Sequence, residues 1–251
     1  MGNRIGEEKL NKFGSKMKIV DYRNAKDIDV YFEEYNWVAK NKQYYNFKIG
    51  NIKCPYEPKV YNSGYLGEGK YKCKENGKTT RIYNTWNSMI ERCCSQKFKN
   101  KNHTYSICKV CDEWLNFQNF AKWYEENYYE VENESMHLDK DILVKGNKIY
   151  SPNTCVFVPQ SINNLFVKSN STRGIYPIGV YYRNDINKFT SEYTNKNKTI
   201  KLGYFNTPEE AFHEYKKFKE NYIKEVAEEY KDKIPQRLYK AMYEYEVEIN
   251  D

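Results

Sequence analysis

No apolar run in the sequence reaches the roughly 20 residues that a bilayer-spanning helix needs, and nothing near Met1 reads as a signal peptide. The seven cysteines are an odd number without a secretory context, which argues against a disulfide framework and for reduced thiols in the cytosol. Apolar residues make up only 39% of the 251 positions, so several small modules are expected in place of one large core. No internal repeat is present, which leaves solenoids and propellers aside. Histidine is scarce as well, at three in the whole chain.

Basic and aromatic side chains are what the chain has in quantity. Lysine and arginine outnumber the acids 41 to 34, and 26 tyrosines lift the aromatic share to 17%. Basic side chains contact phosphates and tyrosine rings stack on bases, so the balance favours a nucleic acid over an acidic protein or a small metabolite. A lysine- and tyrosine-rich proteome would produce the same bias, so composition alone does not decide.

Residues 1–16 show no periodic apolar face and read as a loose arm. The runs "KIVDYRNAKDIDVYF" and "YYNFKIGNI" alternate as short strands do, giving a small β-rich N-terminal unit in which no site can be named. Gly64, Gly67, Gly69 and Gly77 crowd Tyr61 to Lys78, which reads as a linker with a module boundary near residue 70. Helical spacing then places Ile82, Trp86, Met89, Ile90 and Cys93 on one face, and Trp114, Phe117, Phe120 and Trp123 on another, with Asp112 as the candidate cap of the second helix. Next come a strand in "MHLDKDIL", a "KGNK" turn, a strand in "CVFV" and a helix begun by "PQSINNLF" with Pro159 at its start. Three strands follow near 178–185, 188–195 and 198–204, then a helix opened by Thr207, Pro208, Glu209 and Glu210, and a last short helix within Pro235 to Tyr245. The fold class is α+β, in three modules at 1–70, 71–170 and 171–251.

Chemistry concentrates between His137 and Phe166. A hard divalent cation such as Mg²⁺ takes oxygen ligands and keeps several waters, so two side-chain ligands plus phosphate oxygens suffice. Asp139 at the end of one strand and Asn163 in the following helix form the natural pair, because a tight hairpin brings those elements together.

The segments "LDKD", "YSPNTC" and "QSIN", with "YNTWNSMIERC" and "VCDEW" upstream, resemble the HNH nucleases with a ββα-metal fold, most closely the H-N-N homing endonucleases of bacteriophages. The resemblance covers about 90 residues and implies a metal-dependent DNA endonuclease. It implies Asp139 and Asn163 as metal ligands and Asn153 as the asparagine that pins the loop. Lys140 stands where the family places its general-base histidine, and a lysine is better suited to stabilising a pentavalent phosphate than to deprotonating water. Three sources of the base stay open: His137, two residues before Asp139 on the same strand face; Tyr150; or a metal-bound water with no dedicated side chain.

Cys93, Cys94, Cys108 and Cys111 invite a zinc reading, which is not favoured because Cys93 falls on an apolar helix face and adjacent cysteines seldom ligate one ion. From about Tyr176 the residues "IGVYYR" and "KLGYFNTPEEAFHEY" resemble the DNA-binding domain of plant ethylene-response factors over nearly sixty residues. That resemblance implies a three-stranded antiparallel sheet lying in the major groove of double-stranded DNA. Tyr182, Arg183, Lys188, Lys196, Lys198 and Lys201 are the contact candidates by position. A non-catalytic DNA-binding regulator and a phage packaging protein are the alternatives; oligomeric state, target site and the number of strands cut are not legible.

Overall fold

A computed structural model describes residues 4–167, 174–195 and 198–251, and its first sheet follows directly from alternation. The strands are β1 (Glu8–Leu10), β2 (Lys16–Asn24), β3 (Asp27–Phe32) and β4 (Trp37–Lys42), antiparallel and in chain order. Every second residue of β3 and of the first half of β2 points inward, so Met17, Ile19, Ile28, Val30 and Phe32 are all fully buried. The arm expected over residues 1–16 is therefore partly strand. Asn11 explains the return of the chain, because its Oδ1 accepts the N–H groups of Phe13 and Ser15 at 2.9 Å each and closes the turn before β2. The run "YYNFKIGNI" begins as a helix, α1 (Tyr44–Lys48), and contains no strand: Phe47 alone within α1 is buried, while Tyr45 stays exposed.

The glycine-bearing stretch is docked instead of linking. Tyr65 donates to the Leu115 carbonyl and accepts from the Phe117 N–H, both at 2.9 Å, and a Cβ on Gly64 would sit 2.9 Å from the Trp86 ring. Asn76 and Gly77, both at positive φ, make the two-residue turn between β5 (Lys74–Glu75) and β6 (Lys78–Thr79). Thr80 then caps α2 (Arg81–Cys94), whose Trp86, Met89, Ile90 and Cys93 are buried as their spacing predicts. After α3 (Gln96–Lys101) and β7 (Lys109–Val110), the second expected helix arrives in two pieces, α4 (Asp112–Leu115) and α5 (Phe117–Asn127). Asn116 separates them and its Oδ1 accepts the Gln118 N–H at 3.0 Å, so the cap is Asn116 and not Asp112. Trp86 donates to the Trp114 carbonyl at 2.7 Å within an aromatic core that includes Phe117, Phe120 and Trp123.

The second half begins with β8 (Met136–Asp139), β9 (Ile149–Tyr150), β10 (Val156–Pro159) and α6 (Gln160–Leu165). Strands β8 and β10 pair antiparallel, with Asp139 opposite Val156 and His137 opposite Val158, and α6 follows at once. The expected strand, turn, strand, helix order is present. A three-stranded antiparallel sheet comes next: β11 (Val180–Arg183), β12 (Lys188–Asn195) and β13 (Lys198–Phe205). Then α7 (Pro208–Tyr230) opens on a complete capping box of Thr207 and Glu210 with proline in its first turn, and α8 (Gln236–Tyr243) closes the chain's regular structure.

Helix α7 serves two cores. Its Ala211, Phe212 and Tyr215 pack under the sheet with Val180 and Tyr193. Its Ile223, Val226 and Ala227, with Leu238 and Met242 of α8, pack on Val156, Val158, Ile162 and Leu165 of the ββα element. A six-residue helix and two short strands bury too little alone; each Ile, Leu or Val buried against α7 and α8 contributes about 1.5–3 kcal/mol. The chain accordingly divides into two compact units, Met1–Glu126 and Asn127–Asp251, where modules ending near 70 and 170 were expected. The reason is that the 61–78 segment is clamped by α2 and α5, and that the ββα element shares its core with the C-terminal helices. Among the described residues, no helix is long and apolar enough to cross a membrane.

Candidate functional site

Strand β8 ends in a tight turn made by its own last side chain. Asp139 Oδ1 accepts the N–H groups of Asp141 at 2.9 Å and Ile142 at 2.7 Å, which leaves Oδ2 with no protein partner among the described residues. Burial, and then the Asp141 carboxylate beside it, push the Asp139 carboxyl up to about 6, against the pull of those two N–H groups and of Lys140.

Asp139 and Asn163 meet on one cavity of about 200 Å³, with Asp141 and Lys145 completing its polar wall and Ile142 and Phe166 its apolar wall. The Asn163 side chain makes no hydrogen bond to protein among the described residues, although its backbone carbonyl caps the end of α6. Three oxygen-bearing side chains from a strand end, a turn and a helix thus face a small polar space. This set fits a hard divalent cation, which binds through one or two carboxylates and keeps water or phosphate oxygens for the rest.

Asp141 was not singled out by sequence reasoning, and the signal for it was present: two residues beyond Asp139, across the turn that Asp139 makes.

The other expected site residues lie off the cavity wall. Lys140 is buried and gives its ammonium to Asp141 at 3.1 Å, with the Tyr150 ring centroid 5.8 Å away. Tyr150 is itself buried in β9. His137 shares the strand face of Asp139, and its Nε2 is buried without a hydrogen-bond partner among the described residues. Asn153 is exposed in the turn and pins nothing among the described residues. The loop is pinned by Asn147, whose Nδ2 reaches the carbonyls of Lys140 at 2.6 Å and Ile149 at 2.8 Å, and by Thr154, which donates to the Ile149 carbonyl at 2.7 Å. An asparagine ahead of β9 can span both arms of the loop; one beyond it, at 153, faces outward.

Among the described residues, no three His, Cys, Asp or Glu side chains converge as a metal cluster, and Cys93, Cys94, Cys108 and Cys111 carry reduced thiols. Burial pushes the Cys111 thiol up, which suits a packed cysteine better than a thiolate ligand.

The second candidate surface is the outer face of the three-stranded sheet. Register sorts its residues, since Val180, Tyr193 and Phe205 face α7 and their neighbours face out. Tyr181, Thr190 and Tyr204 line up across the three strands, Arg183 stands opposite Lys188, and Lys201 opposite Glu192. Tyr181 is 56% exposed and Tyr204 47%, so two flat rings stand ready on that face. Arg183 is held in a two-pronged ion pair by Asp185 at 2.8 and 2.5 Å. Lys201 donates to the Tyr204 hydroxyl at 2.9 Å and holds that phenol below its ordinary range, and Lys188 donates to Asn206.

Two candidates fall on the other side. Tyr182 shares the face of Val180 and packs on Phe189 with ring centroids 4.9 Å apart. Lys198 pairs with Asn195, whose side chain bonds Tyr222 of α7, so its register is that of the helix-facing side. Lys196 lies outside the described residues. Tyr181 and Tyr204 were missed because one-residue parity within a strand is invisible until the first inward residue is known.

Comparison with protein-family models, with curated proteins and with solved structures gives no match, so the functional reading stands on the chain's own residues.

Proposed function

We propose that this chain is a metal-dependent DNA endonuclease of the HNH kind, with a sheet that reads double-stranded DNA attached to it through α7. The convergence of Asp139 and Asn163, 24 positions apart, on one cavity is the observation that carries the reading. Asp139, Asn163 and Asp141 would hold Mg²⁺ or a similar cation, which when bound supplies positive charge for the developing phosphorane and for the departing 3′-oxygen.

Asp139 would keep Oδ2 for the cation, because Oδ1 is taken by the N–H groups of the turn. Asn163 adds a neutral oxygen from a helix held in place by the α7 and α8 core. The reaction is hydrolysis: a water oxygen bonds to phosphorus, the bond from phosphorus to the 3′-oxygen breaks, and the released oxygen takes a proton. Neither His137 nor Tyr150 is among the described residues that line the cavity, so the proton of the attacking water would pass to solvent.

The outer sheet face supports the DNA half of the reading. Arg183, Lys188 and Lys201 supply phosphate and guanine contacts, and Tyr181 and Tyr204 supply flat apolar surface. A small ββα element touches few bases, so a linked reader would set its register at a specific or semi-specific site, as a phage or mobile-element homing endonuclease acting in the host cytoplasm requires.

The test is incubation of supercoiled plasmid with the purified chain in Mg²⁺ and in EDTA, beside Asp139→Ala. Mg²⁺-dependent nicked or linear product that the variant fails to make is the expected result. The burial of Tyr150 and of His137 Nε2 favours one other reading, a DNA-binding regulator that keeps the scaffold; it predicts binding, unchanged by Asp139→Ala, and no cleavage with any divalent metal.

A further inference from the structure

Among the described residues, Lys145 is the one basic side chain on the wall of the cavity that holds Asp139, Asp141 and Asn163. Its ammonium is already engaged. It lies 2.8 Å from Asp251 Oδ2 and 3.3 Å from Glu248 Oε1, donates to the Glu246 carbonyl at 2.8 Å, and stands 5.2 Å from the centre of the Tyr245 ring. Tyr245 lines the same cavity, so the segment that follows α8 lies against the site and delivers carboxylates to its lysine.

Asp251 is held there on two sides. It is 7% exposed, and the same Oδ2 accepts the Glu248 N–H at 3.0 Å in a turn that presents both acids to Lys145. Lys140, by contrast, is buried and committed to Asp141. An ammonium on a cavity wall satisfied by carboxylate oxygens is in the state it would have with phosphate oxygens, since both ligands are anionic, oxygen-based and hydrogen-bond accepting.

We propose that Lys145 is the phosphate-contacting lysine of the site and that Asp251 and Glu248 occupy it until the DNA backbone displaces them. The acidic segment is thus an internal competitor for the scissile region. DNA binding exchanges one charge-assisted contact for another, and the cost of breaking the internal one falls on every phosphate that is not well placed in the cavity. Loose contact with DNA is penalised and productive seating is not.

This inference rests on the nuclease reading for its consequence in cleavage, but its binding consequence can be read without cleavage. The experiment is a double-mutant cycle on the full chain: wild type, Lys145→Gln, the pair Glu248→Gln with Asp251→Asn, and all three together. Duplex binding is measured against salt in Ca²⁺ and in EDTA, and plasmid cleavage in Mg²⁺. The asparagine keeps an acceptor for the Glu248 N–H, and thermal unfolding confirms that each variant is folded.

Lys145→Gln is expected to weaken binding and to flatten the salt dependence by about 0.9 in slope, the signature of one lost phosphate contact. Neutralising Glu248 and Asp251 is expected to tighten binding and speed cleavage severalfold, and that gain is expected to vanish when Lys145 is already glutamine. A gain that survives in the Lys145→Gln background is a general charge effect and overturns the proposal, as does no gain at all. If the wild type cleaves and the cycle shows no coupling, the nuclease reading stands and this inference fails. If nothing cleaves in Mg²⁺ yet the binding cycle couples, the nuclease reading fails and the competition between acidic segment and DNA stands.

Discussion

Asp139 and Lys219, both in the C-terminal unit, are held away from their ordinary titration ranges by burial, and they serve different ends. Asp139 is raised by burial at the cavity, where an unsatisfied carboxylate oxygen is what a cation needs. Lys219 of α7 is buried beneath the sheet with its ammonium 4.7 Å from the Tyr193 ring, and burial pushes it down to about 8. Since the unfolded lysine titrates near 10.4, the unfolded chain binds more protons than the folded one between about pH 8 and 10.4. Stability therefore rises with pH across that window, and below it the folded state carries the whole cost of a buried charge. Lys219→Met is expected to stabilise the chain by about 1–3 kcal/mol at pH 7 and by much less near pH 10.5, read by urea unfolding at both. A second contrast separates two asparagines. Asn147→Ala removes donors to two carbonyls and is expected to cost about 1–3 kcal/mol together with cleavage, whereas Asn153→Ala, at an exposed position, is expected to change neither.

At the scale of elements, α7 joins the three-stranded sheet to the ββα element that carries the candidate site. Its 23 residues span about 34 Å, with the sheet core on its first half and the ββα core on its second. Lys217 is exposed between them, and Lys217→Pro is expected to cost about 3 kcal/mol or more and to blur a single cut position into several, which end-sequencing of products would show. Gly179 joins the first strand to this helix: its φ is +74° and a Cβ would meet the Tyr215 ring at 2.1 Å. Gly179→Ala is expected to destabilise by about 3 kcal/mol or more in thermal unfolding.

The elements were legible where a pattern is strong and local. The capping residues Thr207, Pro208 and Glu210, the 3.6-residue spacing in α2 and the strand, turn, strand, helix order around Asp139 all read directly. What was not legible depends on partners distant in sequence. The segment at 61–78 reads as a linker until Tyr65 is seen bonding Leu115 and Phe117, and Tyr182 reads as an outward residue until Val180 sets the parity. The pair Asp139 and Asn163 was foreseeable from order and spacing, and Asp141 from its place two residues beyond Asp139; Lys145 needed the cavity itself.

At the scale of the whole molecule, the boundary that matters is the one near residue 126. A ββα element whose inner residues Val156, Val158, Ile162 and Leu165 pack on α7 and α8 has no core once those helices are removed. Circular dichroism is expected to show residues 127–251 folded as an isolated fragment and residues 127–206 unfolded, with any Mg²⁺-dependent cleavage lost in the shorter one. The candidate site thus depends for its fold on the same helix that packs beneath the three-stranded sheet.

The central claim is that Asp139 and Asn163 form one metal site, and its most direct measure is the Mg²⁺ concentration giving half-maximal plasmid cleavage in wild type and in Asn163→Ala. The account predicts that the variant, folded by circular dichroism, needs about tenfold more Mg²⁺ or worse. An unchanged midpoint, or a wild type that cleaves equally well in EDTA, would contradict it.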